Sequence, residues 1–180
     1  MRLYFHSMLL LLCLAGCDPQ RIAELEEGVA SEADVRARFG APEQIWDAAD
    51  MAATPLPAAA LGLVAAPGAR TFEYNRQPQG QVNYMITIGA DGKMSALRQV
   101  LTPQNFSAVR PGMRMEQVRK LLGKPMQVTQ FALKQQTQYD WRYLMPPNTA
   151  MIFSVVYDQD LRVVSSGSVD EAHTSIKGGS

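Results

Sequence analysis

The chain has few of the residues that carry out chemistry. It has two cysteines, Cys13 and Cys17, both in the first tenth of its 180 residues, so the body holds neither a disulfide framework nor a cysteine metal site. It has two histidines, His6 and His173, which leaves almost no material for histidine ligands or histidine general bases. Charge of one sign is missing too: 17 lysines and arginines balance 17 aspartates and glutamates, and without an overall positive field the chain has no general means of holding nucleic acid. Otherwise the balance is that of a folded domain, with 47% apolar, 19% charged and 8% aromatic residues.

A long hydrophobic run is also lacking. Arg2 provides a positive start, Met8 to Leu14 an apolar stretch, and Ala15-Gly16 small residues before Cys17. This is the layout of a secretory signal peptide, and it is shorter than the roughly 20 residues a spanning helix requires. Leu14-Ala15-Gly16-Cys17 resembles the lipobox of bacterial lipoproteins, which implies cleavage after residue 16 and acylation of Cys17. Several acyl chains on one residue anchor a protein without a spanning helix, at about 0.8 kcal/mol per buried CH₂. Asp18, next in line, resembles the signal that retains such proteins in the inner membrane of enteric bacteria.

The body repeats itself. Ser31 to Pro42 aligns with Arg114 to Pro125 at an offset of 83, matching Val35, Phe39 and Gly40 to Val118, Leu122 and Gly123. Upstream, Ile22, Leu25 and Gly28 align with Phe106, Val109 and Gly112 at 84. Downstream, Phe72-Glu73-Tyr74 aligns with Trp141-Arg142-Tyr143 at 69, and the same offset carries Ile86, Ile88 and Met94 onto Val155, Tyr157 and Val163. The shift from 83 to 69 reflects an alanine- and proline-rich insertion in the first copy, residues 48–69.

Each copy predicts helix, turn, helix and three antiparallel strands. Ser31 and Asp34 form a capping-box pattern, Gly40 and Gly123 suit helix stops, and Pro42 and Pro125 prevent continuation. In the second copy the cap position holds Arg114. Strand composition covers 70–75, 82–88 and 93–101, then 138–144, 150–157 and 161–169. The fold class predicted is α+β, with two tandem units each packing helices on a three-stranded sheet. The signal peptide covers 1–16, the units cover 17–105 and 106–169, and a flexible tail covers 170–180.

No catalytic constellation, metal site or cofactor motif stands out. His173 sits in the polar tail, Asp158 and Asp160 read as a turn rather than a cation loop, and Gly89 and Gly92 lack a strand-turn-helix context for phosphate. Trp46, Phe72, Tyr74, Tyr84, Trp141 and Tyr143 are expected to pack between helices and sheets. Charge is uneven, however: residues 18–50 hold nine acids and three bases, whereas 110–142 hold seven bases and two acids. Arg110, Arg114, Arg119, Lys120 and Lys124 are therefore the candidate surface for an acidic partner or anionic lipid, where each charge contributes about 1 kcal/mol. A solvated helix face is the plainer alternative.

Val109-Arg-Pro-Gly112-Met113, Val118, Leu121-Leu122-Gly123-Lys-Pro125, Phe131 and Trp141-Arg-Tyr143 together resemble the SmpA/OmlA (BamE-like) family of outer-membrane lipoproteins. That resemblance implies two helices on an antiparallel sheet and a non-enzymatic role. It also implies partners among envelope lipoproteins or barrel-assembly components, contact with anionic phospholipid, and a place on the periplasmic face of the outer membrane. Asp18 leaves the inner membrane open. The paired units are also similar in architecture to secreted β-lactamase inhibitor proteins, which implies the alternative of a module that inhibits or tethers a soluble periplasmic protein.

Overall fold

The computed structural model describes residue 22 and residues 24–53 and 66–174. The signal peptide, Cys17, Asp18, most of the 48–69 insertion and residues 175–180 lie outside the described residues.

Helix α1 (Glu32–Phe39) leads to β1 (Gln44–Asp47), a short helix α2 (Ala48–Ala52), then β2 (Arg70–Asn75), β3 (Asn83–Ile88) and β4 (Met94–Gln99). The second unit follows with α3 (Pro103–Ala108), α4 (Met115–Leu122), β5 (Gln127–Phe131), β6 (Gln136–Met145), β7 (Thr149–Tyr157), β8 (Val163–Asp170) and a last turn α5 (Glu171–Thr174). The fold is α+β, with two antiparallel sheets ordered β1-β2-β3-β4 and β5-β6-β7-β8.

Each sheet thus has four strands where the sequence patterns predict three. The added strands, β1 and β5, are short, mostly exposed and without a run of alternating apolar residues, so nothing in their composition marks them. They form because the chain leaving each helix stop runs back along β2 or β6. The registers of these two pairings differ by two residues, Gln44 facing Glu73 but Gln127 facing Asp140. An even slip keeps every side chain on its original face. At the other end, Asp170 closes β8 and Glu171 is held by an ion pair to Arg142. The tail expected from residue 170 therefore opens with the end of a strand and a helical turn.

Two apolar cores sit between helices and sheets. Val35 and Phe39 pack with Phe72, Tyr74, Ile86, Ile88 and Met94, while Val118, Leu121 and Leu122 pack with Trp141, Tyr143, Phe153, Val155, Tyr157 and Val163. The matched features fall at the offsets of the sequence. Ser31 bridges Lys93 as Arg114 bridges Arg162, and the sheet bulges at Thr87/Ile88 as at Val156/Tyr157. Each helix-stop carbonyl also receives an aromatic donor, from positions that do not align: Tyr74 O–H donates to Gly40 O at 3.2 Å, and Trp141, the counterpart of Phe72, donates Nε1–H to Gly123 O at 3.0 Å. Trp46 departs from the expected aromatic packing. It lies on the opposite face of the first sheet with Met51, Met85 and Val100.

The caps differ as their side chains dictate. Asp34 N–H donates to Ser31 Oγ at 3.2 Å, and Ser31 N–H donates to Asp34 Oδ2 at 2.9 Å. In α4 only the reciprocal half is made, Arg114 N–H donating to Gln117 Oε1 at 2.8 Å, because a guanidinium has no lone pair to offer the helix. Arg114→Ser is expected to stabilise the protein by about 1 kcal/mol in urea unfolding and Ser31→Ala to destabilise it by about the same. A neutral or destabilising Arg114→Ser contradicts the assigned cap.

Candidate functional site

The five basic residues singled out by charge separate into two groups. Arg119, Lys120 and Lys124 lie at the contact between the two units, with Lys120 buried, Arg119 half-buried and the Lys124 side chain still exposed at the rim. The reason is the opposite face of the first sheet, where Thr71, Glu73, Asn83 and Thr87 are polar yet buried. The alternation Phe72-Glu73-Tyr74 reads as apolar in and polar out, but the second unit covers the polar side. The C-terminal end of α4 is placed there.

Glu73 is fully buried, at 0% exposure. Its carboxylate accepts Arg119 Nη2–H at 3.3 Å and Nε–H at 3.4 Å, and the backbone N–H of Lys124 at 2.8 Å. Asn83, equally buried, donates through Nδ2 to Leu122 O at 2.8 Å and Lys124 O at 3.0 Å. Those carbonyls, left open at the end of a helix, are thus satisfied by the other unit. Lys120, only 1% exposed, donates to Asp50 O at 2.6 Å, pairs with Glu116 at 2.9 Å and places its ammonium 5.0 Å from the Trp46 ring centroid. The Lys124 ammonium pairs with Glu43 at 2.5 Å.

A second contact joins the β2–β3 loop to β6. Pairing of β5 with β6 ends at Asp140, which exposes the backbone edge of Arg142. Gln77 fills that edge with one amide, donating Nε2–H to Arg142 O at 2.6 Å and accepting Arg142 N–H at 3.2 Å. The Arg142 guanidinium donates to Pro78 O at 2.9 Å and to Glu171. Glu73, Asn83 and Gln77 carried no signal as interface residues, since each looks like an ordinary polar residue of a hairpin.

Arg110 and Arg114 remain exposed. The loop that bears them runs against the start of β8, where Arg162 donates to Gly112 O at 3.1 Å, so Arg162 joins this basic end of the second unit. A cleft there is lined by Arg114, Met115, Glu116, Asp160, Leu161 and Arg162. Its mixed charge suits polar contact with a partner more than enclosure of a small molecule.

Asp158, Asp140, Ser154 and Tyr157 are engaged structurally. Asp158 accepts the N–H groups of Asp160 and Arg162 at 3.0 and 2.9 Å, a turn that closes the β7–β8 hairpin. Ser154 Oγ donates to Asp140 at 2.6 Å, and Gln138 donates to the same oxygen at 2.8 Å. Burial, aided by the neighbouring Tyr139, pushes the Tyr157 hydroxyl far above the ordinary tyrosine range, so it stays neutral in the core. Among the described residues no cluster of histidine, cysteine and acidic side chains converges as a metal site.

Removing the partner of a buried charge costs about 3–5 kcal/mol. Arg119→Ala, which leaves the Glu73 carboxylate buried without its cation, should therefore lower unfolding stability by about that amount, and a double-mutant cycle with Glu73→Ala should show coupling above about 0.5 kcal/mol. Additive losses would place Arg119 outside the Glu73 contact. A second comparison uses the helix stops. Gly40 and Gly123 share a backbone region open only to glycine, at φ 82° and 75°, and alanine there costs about 1–3 kcal/mol. A Cβ on Gly123 would also meet Asn83 Nδ2 at 3.0 Å, whereas one on Gly40 meets nothing within 4 Å. Gly123→Ala should lower the urea midpoint more than Gly40→Ala; equal losses would contradict the close approach.

Comparison with known proteins adds three findings. No curated protein matches the sequence. A solved structure of a DUF4309 family protein, YjgB from Bacillus subtilis, is 19% identical over 85% of this chain and 86% of its own, with a TM-score of 0.30. Residues 99–167, the last residue of β4 and nearly all of the second unit, match the family model of the outer membrane protein assembly factor BamE domain, and that stretch is BamE-like.

Proposed function

We propose that the protein is a lipid-anchored envelope lipoprotein. In this reading it serves as a non-enzymatic accessory or scaffold in outer-membrane β-barrel assembly or envelope integrity. The observation that carries the reading is the BamE-domain match over residues 99–167. Cys17 is the anchor, and Asp18 bears on which membrane receives it. The first unit is taken as a second, diverged BamE-like copy, on the strength of the shared bridges, bulges and helix stops. Its partners are other envelope lipoproteins or barrel-assembly components, together with anionic phospholipid.

Within the basic set, Arg110 and Arg114 are the residues assigned to outside contact, because both are exposed and lie outside the contact between the two units. Arg119, Lys120 and Lys124 are assigned to holding the two units together. A second reading, a module that inhibits or tethers a soluble periplasmic protein, draws on the face of the second sheet opposite its helices, where Ile152, Ser154 and Val156 are only half-buried.

Crosslinking and pull-down from native membranes separates the two. Recovery of barrel-assembly components supports the scaffold; recovery of a soluble periplasmic protein in their place overturns it. Cys17→Ser should give an unprocessed precursor that incorporates no labelled fatty acid. Normal lipidation of that variant rules out the anchor. Arg110→Glu with Arg114→Glu should weaken binding to anionic vesicles or the native partner, with folded stability moving by less than about 1 kcal/mol.

A further inference from the structure

Strands β4 and β8 occupy matching outer positions in the two sheets, and their free edges are finished differently. Both edges begin alike. Met94 donates its N–H to Ala30 O and accepts Gly28 N–H on its carbonyl, while Val163 does the same with Met113 and Gly112, all at 2.7–2.8 Å. Both strands then pass a bulge at the same place. Beyond it, Leu97 N–H leaves the sheet and donates to Glu27 Oε1 at 2.9 Å, and the same carboxylate pairs with Arg98. Glu27 closes the edge of β4.

The second unit has no such closure. The residues that align with Glu27 are Arg110 and Pro111, and neither side chain accepts a hydrogen bond. The pair Ile86 and Leu97 recurs as Val155 and Ser166, so Ser166 N–H points off the sheet as Leu97 N–H does. Ser168 N–H, two residues on, points the same way. Among the described residues no hydrogen bond from outside the sheet reaches either group.

Natural sheets protect exposed edges with charges, prolines or short strands. Strand β8 runs for eight residues and carries neither a charge nor a proline before Asp170. Its Ser165-Ser166-Gly167-Ser168 stretch is exposed, and small side chains leave the backbone within reach. Val164 and Val169, 45% and 46% exposed, flank that stretch.

We propose that the β8 edge is a docking site for an extended segment of another polypeptide, which joins the second sheet as a fifth strand through main-chain hydrogen bonds to Ser166 and Ser168. The site accepts about four residues, because the segment around Gly112 and Met113 already fills the start of the edge. Apolar side chains on the incoming strand cover Val164 and Val169, and a basic one at its end meets Asp170. This mode supplies affinity through the backbone and selectivity through alternate side chains. It is independent of the barrel-assembly reading.

The test uses the acylated full chain in detergent and a synthetic probe, acetyl-Lys-Val-Thr-Val-Thr-Val-amide, with the same peptide N-methylated on its two threonines as control. In the free protein the Ser166 and Ser168 amides should exchange with solvent at least about tenfold faster than the Leu97 amide, and saturating probe should slow them about tenfold or more. Ser166→Pro removes an N–H that the β7–β8 ladder does not use, so it should weaken probe binding about tenfold while leaving the thermal midpoint in place. The N-methylated peptide should leave both amides unprotected, a result that does not depend on any variant folding. Three results would each overturn the proposal: slow Ser166 exchange in the free monomer, self-association abolished by Ser166→Pro, or no protection by the probe.

Discussion

A carboxylate taken out of water costs several kcal/mol unless its oxygens are paired, and Glu73 meets its pairing wholly from the second unit. The Arg119 guanidinium and the Lys124 backbone N–H both reach it, and both depend on where α4 ends. The helix stop at Gly123 is therefore part of the joint. It turns the chain so that Lys124 N–H faces Glu73 while Leu122 and Lys124 carbonyls face Asn83. No residue with a Cβ fits that approach without displacing Asn83.

The rest of the arrangement follows from this contact. With α4 seated on the first sheet, Lys120 is carried over Trp46 and under the end of α2, and Lys124 comes within reach of Glu43. Glu73 and Glu43 of the first unit thus meet Arg119 and Lys124 of the second. Of the residues behind the charge asymmetry between 18–50 and 110–142, Glu43 and Lys124 pair across the joint, while Glu24, Glu27 and Glu32 pair with arginines of their own unit. Arg110 and Arg114, which precede α4, stay outside the joint and keep their charge available.

Repetition also makes the differences between the copies informative. Both units share the bulge, the bridge beside the helix N-terminus and an aromatic donor to the helix-stop carbonyl. They differ where one copy meets something that the other does not. Glu73 meets α4, while its counterpart Arg142 meets the β2–β3 loop and Glu171. Leu97 meets Glu27, while its counterpart Ser166 meets nothing outside the sheet among the described residues.

Local chemistry was enough to determine much of this protein. Residue spacing located α1 and α4, the glycine and proline stops placed their ends, and six of the eight strands lie within two residues of their expected limits at the start and the end. These features depend on periodicity and backbone preference, which act over a few residues. The repeat offsets likewise survive in the sequence because each copy solves the same packing problem. Strands β1 and β5 were not legible, since four or five exposed polar residues become a strand only when a neighbour offers an edge. Nor was the fate of Arg119, Lys120 and Lys124. The partner of a charged side chain depends on what lies opposite it, and here that is Glu73, the end of α2 and Glu43, 46 to 81 residues away along the chain. Only the tertiary structure brings those groups together, because a charge has no preferred partner until the fold supplies one.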